Sequence, residues 1–373
     1  MNVLIIPDSF KGSLSAAEVA GIMEKTVLKV FPKSKCMSMP FSDGGEGALF
    51  TLKSNADGSL IKSKTTDALK RPISAPYFIF KDQKTAWIEL SQTAGLTQLK
   101  KEERNPLITS TWGTGLMILE ALEQGCETIY LGIGGSATQD IGTGIIQALG
   151  GLFLDIKGNE LSSGGGELYR LNKIDLSGLH PQALKCKWII ACDVQNTLIG
   201  KNGTAYTYAK QKGASNNDIE QLEKGGIRFA EIVQRQFGID VSNIKGGGAA
   251  GGVGAGLMGL LGASLEKGFD LLASLTGLSN IIPSMDLILT GEGSFDEQSL
   301  YGKLPIQVVT LAHENKIPVF ILTGKAKINE LKQLPNCKII DCTPAGMTLD
   351  IAMANAAQNL EQALLGGLQS ITN

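Results

Sequence analysis

Four segments of this chain share one composition: an apolar run, then small residues and a carboxylate. They are Pro7-Asp8-Ser9-Phe10-Lys11-Gly12-Ser13, Asp43-Gly44-Gly45-Glu46-Gly47, Ala191-Cys192-Asp193-Val194 and Gly291-Glu292-Gly293-Ser294-Phe295-Asp296. A fifth, Gly132-Ile133-Gly134-Gly135-Ser136-Ala137-Thr138, follows an apolar run and offers only hydroxyls and bare backbone. Small residues let backbone N–H groups point at an anion, and a helix starting after the loop adds a favourable dipole. Carboxylates there, Asp296 and Glu292 among them, can hold Mg²⁺, which takes oxygen ligands and bridges phosphates. Lys11 and Lys303 can neutralise phosphate oxygens. Taken singly, Asp8 also fits a helix cap, Asp43 a turn, and either lysine a solvated surface charge. As a set, the loops point to phosphoryl transfer from a nucleotide, which proteins catalyse by positioning and charge.

Other familiar chemistry is missing. No G-x-x-x-x-G-K-[ST] loop occurs, because Gly302-Lys303 and Gly324-Lys325 lack the upstream glycine. No G-x-S-x-G nucleophile elbow occurs either. The two histidines, His180 and His313, lie far apart, which argues against a two-His zinc motif. The six cysteines form no C-x-x-C pair and read as reduced thiols in a cytoplasmic protein. Gly132-x-Gly134-x-x-Ala137 fits a relaxed dinucleotide fingerprint, with Asp155 about twenty residues on. That makes an NAD-dependent hydroxyacid dehydrogenase the second reading, although it lacks a convincing His base. A non-catalytic, two-lobed protein that binds a small acid is the third.

The chain has 373 residues, 43% hydrophobic and 19% charged, enough for about two domains with real cores. Its 34 basic and 36 acidic residues nearly cancel, so the positive field that displaces counterions from nucleic acid is absent. Glycine is the outlier, at 46 residues. The stretch 246–265 carries no charge and is long enough to span a bilayer, yet nine of its twenty residues are glycine. Each costs helix stability, so the stretch reads as a buried glycine loop feeding a helix. Met1 to Pro7 is short and strand-like, with no basic leader, so neither a targeting segment nor a membrane partner is expected.

Periodicity places these loops. Val3 to Ile6 reads as a strand, and Ser15 with Glu18 has capping-box spacing for a helix starting near Ala16 and stopping at Pro32. A second strand at Cys36–Met39 and a helix from Ala48 flank the Asp43–Gly47 loop. The rhythm then changes to a hairpin, Pro76–Phe80 with Thr85–Leu90, and to strands near 128–133, 151–156 and 188–193. From Met285 the βα rhythm returns: strand 286–290, helix 304–315, strands 317–322 and 337–341, and a final helix from Thr348. Residues 1–72 and 270–373 are therefore expected to share one parallel sheet. Residues 73–269 would form an inserted mixed α/β domain, with a cleft between the two.

At these loops the sequence resembles the bacterial type I glycerate kinase family. The resemblance rests on P-D-S-F-K-G-S-L-S-A at Pro7–Ala16, D-G-G-E-G at Asp43–Gly47, and N-P-L-x-T-S at Asn105–Ser110. It continues through G-I-G-G-S-A-T at Gly132–Thr138, A-C-D-V at Ala191–Val194 and Q-K-G-A at Gln211–Ala214. Near the end come G-A-A-G-G at Gly248–Gly252, G-A-G-L at Gly254–Leu257, and T-G-E-G at Thr290–Gly293. Departures are Gln139 and Ile141 beside Asp140, where asparagine and glycine are expected, Thr197 for proline, and Ser294 for an arginine after G-E-G.

The resemblance implies a flavodoxin-like domain built from both chain ends, and ATP- and Mg²⁺-dependent phosphorylation of D-glycerate. The expected product is 2-phosphoglycerate, with 3-phosphoglycerate as the other outcome; self-association is left open. Asp193 is the expected base, with Lys11 and Asp8 beside the transferred phosphoryl group. Ser136 and Thr138 would take the substrate carboxylate. Ser9, Gly44, Gly45, Glu46, Gly134, Gly135, Gly291, Gly293 and Lys303 would surround substrate and phosphates, and Asp296 or Glu292 would hold the metal.

Overall fold

The chain opens with β1 (Asn2–Pro7), whose residues Val3 to Ile6 are fully buried. In the computed structural model, which describes residues 1–41, 47–300, 302–327 and 336–372, β1 runs through a short loop into helix Ala16–Val30. Ser15 and Glu18 close the capping box that their spacing predicts. Then come β2 (Lys35–Ser38), β3 (Gly58–Thr66), β4 (Pro72–Phe80), β5 (Thr85–Glu89) and β6 (Thr128–Gly132). β7 (Leu152–Leu154) and β8 (Lys173–Asp175) form a small hairpin, followed by β9 (Lys187–Ala191) and β10 (Ser264–Glu266). β11 (Leu287–Glu292), β12 (Val319–Thr323) and β13 (Cys337–Asp341) complete the strands among the described residues.

In the first unit the strands lie in the order β2-β1-β11-β12-β13, all parallel. Counted within the unit this is 2-1-3-4-5, the flavodoxin-like order. Both chain ends thus share one sheet, because β1 pairs directly with β11. One face is covered by Val19, Met23 and Val27 of the first helix and by Leu360, Leu364 and Leu368 of helix Ala356–Thr372. Each set repeats every four residues, so each helix presents one apolar stripe to Val3, Ile5, Leu287, Leu289 and Phe320.

The second unit holds a mixed sheet in the order β3-β4-β5-β6-β9-β10. β3, β4 and β5 run antiparallel, whereas β5, β6, β9 and β10 are parallel. The compact units divide after Ala56 and again after Gly268, apart from a short piece ahead of Phe50 that clusters with the second unit. The boundary expected at residue 73 therefore lies at Asp57. The reason is β3, which pairs with β4 along its whole length, from Gly58↔Phe80 to Thr66↔Pro72. As an edge strand it is mostly exposed and carries Lys62 and Lys64, a common protection against edge pairing, so its apolar signal is weak.

The uncharged stretch folds as expected for a glycine loop entering a helix. Within Ala249–Leu261, residues Ala250, Gly251 and Gly252 have φ of 54°, 75° and 92°, and helical geometry follows them. No helix among the described residues is long and apolar enough to cross a membrane.

Candidate active site

In the first unit, Ile6 pairs with Thr290 and Pro7 with Gly291. Strand order reverses between β1 and β11, and open α/β sheets bind ligands outside the carboxyl ends at such a reversal. Asp8 and Glu292 stand at that point. The Asp8 N–H donates to the Gly291 carbonyl (2.9 Å), and its Oδ1 accepts from the Ser9 N–H (2.6 Å). Glu292 is buried; its Oε2 lies 3.6 Å from Lys303 Nζ, while Oε1 has no hydrogen-bond partner among the described residues. Burial pushes the Glu292 carboxyl above its usual range; Ser299 and Lys303 pull it down and the nearby Asp8 charge pushes it up.

An orphaned, buried carboxylate oxygen is costly unless something satisfies it. A divalent cation fits, since Mg²⁺ is commonly held by one or two carboxylates plus phosphate oxygens. Among the described residues no group of three His, Cys, Asp or Glu could hold a metal, so an ion here would rest on Glu292 and Asp8 with substrate oxygens. Asp296 Oδ2 pairs with Lys327 Nζ, at 3.3 Å.

A cavity of about 720 Å³ opens beside this pair. Ser9, Gly293, Lys11, Lys303, Lys325 and Lys327 line its polar side, and Pro344, Met347, Leu349 and Met353 its apolar side. Lys303 also stands at the N-cap position of helix Leu304–Glu314, whose positive end favours an anion. Gly291 is a buried member of β11. Ser294 is exposed on the cavity wall, in the place where the family pattern has arginine. Its loop is stitched to the next one: the Phe295 N–H donates to the Lys325 carbonyl (3.0 Å) and the Lys327 N–H to the Phe295 carbonyl (2.9 Å). Two lysines that sequence reasoning missed, Lys325 and Lys327, thus bring positive charge to the wall where Ser294 brings none.

In the second unit, Glu89, Gly132 and Ala191 are level across β5, β6 and β9, so the Gly132–Thr138 loop and Asp193 leave adjacent strand ends. Asp193 is exposed, and its Oδ1 accepts from the Gly268 N–H (3.1 Å). The Leu96 N–H donates to the Gly135 carbonyl and the Ala137 N–H to the Ala94 carbonyl, both at 2.8 Å, which pins the Gly134–Ser136 turn. Beneath it lies Lys212, only 2% exposed, donating to Ser136 Oγ (2.8 Å) and to the Thr138 carbonyl (2.7 Å). Burial pulls the Lys212 pKa down to about 7, against the opposing field of Asp140.

Asp140 is fully buried and accepts from the Thr111 N–H (2.7 Å), Thr111 Oγ1 (2.9 Å), Ser110 Oγ (3.3 Å) and the N–H groups of Gly142 and Gly144 (3.3 Å each). Burial raises its pKa, and these donors work against that rise. Asp140 therefore buckles the Asn105–Ser110 motif to the glycine-rich loop. Of the two hydroxyls expected to meet substrate, Ser136 keeps 8% exposure and Thr138 none. Lys212 lies within the Gln211–Ala214 motif, the one signal that could have pointed to it. Gly44, Gly45 and Glu46 lie outside the described residues.

The dinucleotide fingerprint does not hold. After β6 no helix starts until Thr143, so the glycines do not open a phosphate-binding helix. Asp155 is a turn residue beside β7: its Oδ1 accepts from the Lys157 and Asn159 N–H groups (2.8 and 2.9 Å), and its Oδ2 pairs with Arg170 (3.1 Å).

Carboxylates, lysines and bare backbone at parallel strand ends, in two α/β units, define a phosphotransferase of the α/β class. The family model for the glycerate kinase family matches residues 3–366, and the chain belongs to that family. It is 42% identical to glycerate 2-kinase of Escherichia coli K12, over 87% of this chain and 85% of that protein. To glycerate kinase of Halalkalibacterium halodurans it is 39% identical, over 97% and 96%. A crystal structure from Salmonella typhimurium LT2, described as a glycerate kinase 2, matches with a TM-score of 0.88 at 36% identity, covering 100% of this chain and 98% of that one.

Proposed function

We propose that this protein transfers the γ-phosphoryl group of ATP to the C2 hydroxyl of D-glycerate, giving 2-phosphoglycerate and ADP. The observation that carries this reading is the Asp8–Glu292 pair at the strand reversal, beside a cavity lined by four lysines. The similarity to a relative named glycerate 2-kinase supports C2 over C3. Lys11, Lys303 and the start of helix Leu304–Glu314 receive the phosphates, and Glu292 with Asp8 would hold Mg²⁺. When bound, the ion would supply charge neutralisation at phosphate oxygens. Ser136 faces the glycerate carboxylate, and Asp193 accepts the hydroxyl proton as oxygen bonds to phosphorus and ADP leaves in line. Six free thiols fit a reducing, cytoplasmic setting.

The test is ADP release on mixing Mg²⁺–ATP with D-glycerate, with product position read by phosphorus NMR. Glycerate-dependent release with phosphate on C2 is the expected result. A C3 product would keep the kinase and overturn the regiochemistry. Asp193→Asn should lower kcat by about 10²-fold or more, and near-normal turnover would remove Asp193 from the role of base.

A further inference from the structure

The geometry points to a carboxylate subsite made by Arg104 and Ser136, with Lys212 as the positioning residue behind it. This rests on the reading of glycerate as substrate and names the groups that recognise its acid end. Arg104 is half-buried and has no carboxylate partner among the described residues. Its Nη2 donates to the Leu96 carbonyl (3.4 Å), and its Nε is buried without a hydrogen-bond partner. The Leu96 N–H is itself bonded to the Gly135 carbonyl (2.8 Å), so Leu96 bridges the guanidinium to the turn that carries Ser136. On the other side Gly213, the neighbour of Lys212, packs so closely on Arg104 that a Cβ there would lie 2.1 Å from the Arg104 carbonyl. Arg104, Ser136 and Lys212 are therefore held together by backbone contact.

The hydroxyl rotor supplies the second half of the subsite. Lys212 donates into Ser136 Oγ and the Thr138 carbonyl, two of the acceptors nearest the loop. A hydroxyl that accepts from behind directs its own hydrogen forward, away from the ammonium. Ser136 then offers one aimed O–H donor, and Arg104, whose Nη2 is on the Leu96 carbonyl and whose Nε is buried, offers its Nη1. Donors of this kind match a carboxylate, whose two oxygens accept in one plane. Lys212 touches no ligand in this arrangement; it acts through Ser136.

The experiment is calorimetric binding of D-glycerate and of methyl D-glycerate to the nucleotide-free protein, beside steady-state kinetics. Wild type should bind the acid at least about tenfold more tightly than the ester, as expected for a charge-assisted contact. Arg104→Gln should abolish that preference and raise KM for glycerate by a similar factor, with KM for ATP unchanged. Lys212→Met should raise KM for glycerate in the same way. Adding it to Ser136→Ala should change nothing further, because the lysine works through the hydroxyl. Ser136→Ala and Arg104→Gln keep the idea testable if Lys212→Met does not fold. Equal binding of acid and ester by wild type, or an unchanged glycerate KM in Arg104→Gln, would overturn the subsite. An additive loss in the double variant would remove Lys212 from its role. Preferential acid binding without ADP release would instead leave the subsite standing and sink the kinase reading.

Discussion

The lysines around the first unit's cavity and Lys212 of the second unit sit in opposite environments. Lys11, Lys325 and Lys327 are exposed around their cavity, the last with its side chain 59% accessible, whereas Lys212 is 2% accessible and bonded to two oxygens. Exposed charges act in high dielectric, are screened by salt, and tolerate exchange of one residue for another. A buried charge has one geometry and no substitute nearby. The first arrangement suits a ligand that brings several charges of its own and must leave again. The second suits the aiming of a single hydrogen bond. The contrast bears on Ser294: on an exposed wall, charge from the neighbouring Lys325 and Lys327 can serve in place of a guanidinium there, while Lys212 is held behind Ser136 in one buried geometry.

The backbone beneath each site should show the same contrast, and here the largest effect is expected. Gly251 has φ of 75°, and a Cβ on it would lie 2.0 Å from the Thr138 carbonyl, the oxygen that Lys212 holds. That atom cannot yield without breaking the Lys212 bond. Gly251→Ala should cost roughly 3 kcal/mol or more in urea unfolding, from strain and overpacking together. Gly12, under the first site, has φ of 84°, but its Cβ would meet only the Met353 Cε, at 2.7 Å, the end of a flexible side chain. Gly12→Ala should cost only about 1–2 kcal/mol, the usual left-handed penalty. Equal losses at the two glycines would break the comparison.

A smaller effect is expected from the exposed lysines. Lys325→Met and Lys327→Met together should raise KM for ATP by about 10- to 100-fold, or roughly 1.4–2.7 kcal/mol, with the glycerate KM unchanged. The wild-type ATP KM should climb with added salt, and that dependence should flatten in the double variant, because screened charges have been removed. Glycerate binding, if its carboxylate meets the half-buried Arg104 and a hydroxyl aimed by Lys212, should respond less to salt. Matching salt dependence for both substrates would contradict the assignment of exposed charge to one and buried charge to the other.

Much of this architecture was legible because it is local. The Ser15–Glu18 capping box, the buried run of β1 and the recurring βα rhythm each depend on neighbours in sequence. The groups that were not legible are brought together by topology or look unlike what they do. Lys325 and Lys327 reach the Ser294 loop only because β12 lies beside β11. Lys212, flanked by Lys210 and Gln211, reads as a solvated residue; its burial comes from the loop that folds over it. Arg104 sits just outside the motif that marks Asn105–Ser110. Ile141 is the converse case. It stands where the family pattern has glycine and adopts φ of 56°, a strained value for a β-branched residue, yet it is only 3% exposed. Burial of a whole isoleucine, worth about 1.5–3 kcal/mol, offsets a strain of about 1–3 kcal/mol. No sequence pattern reports that balance.

The smallest effect concerns pH, and it isolates Lys212. Its pKa in the folded protein is about 7, whereas an unfolded lysine titrates near about 10.4. Between those values the unfolded chain carries a proton that the folded chain has released, so stability from this group rises with pH. It is fully present above the unfolded pKa and is lost as pH falls through about 7, where the ammonium must stay charged beside Asp140 in a dry site. Lys212→Met has no such proton. The stability of wild type minus that of Lys212→Met, from urea unfolding at pH 6.5 to 9, should therefore increase with pH, by at most about 1.4 kcal/mol per unit. A flat difference for Lys212→Met would mean that the ammonium keeps its proton throughout and that Asp140 outweighs burial. The two units would then differ in exposure alone and not in how they hold charge.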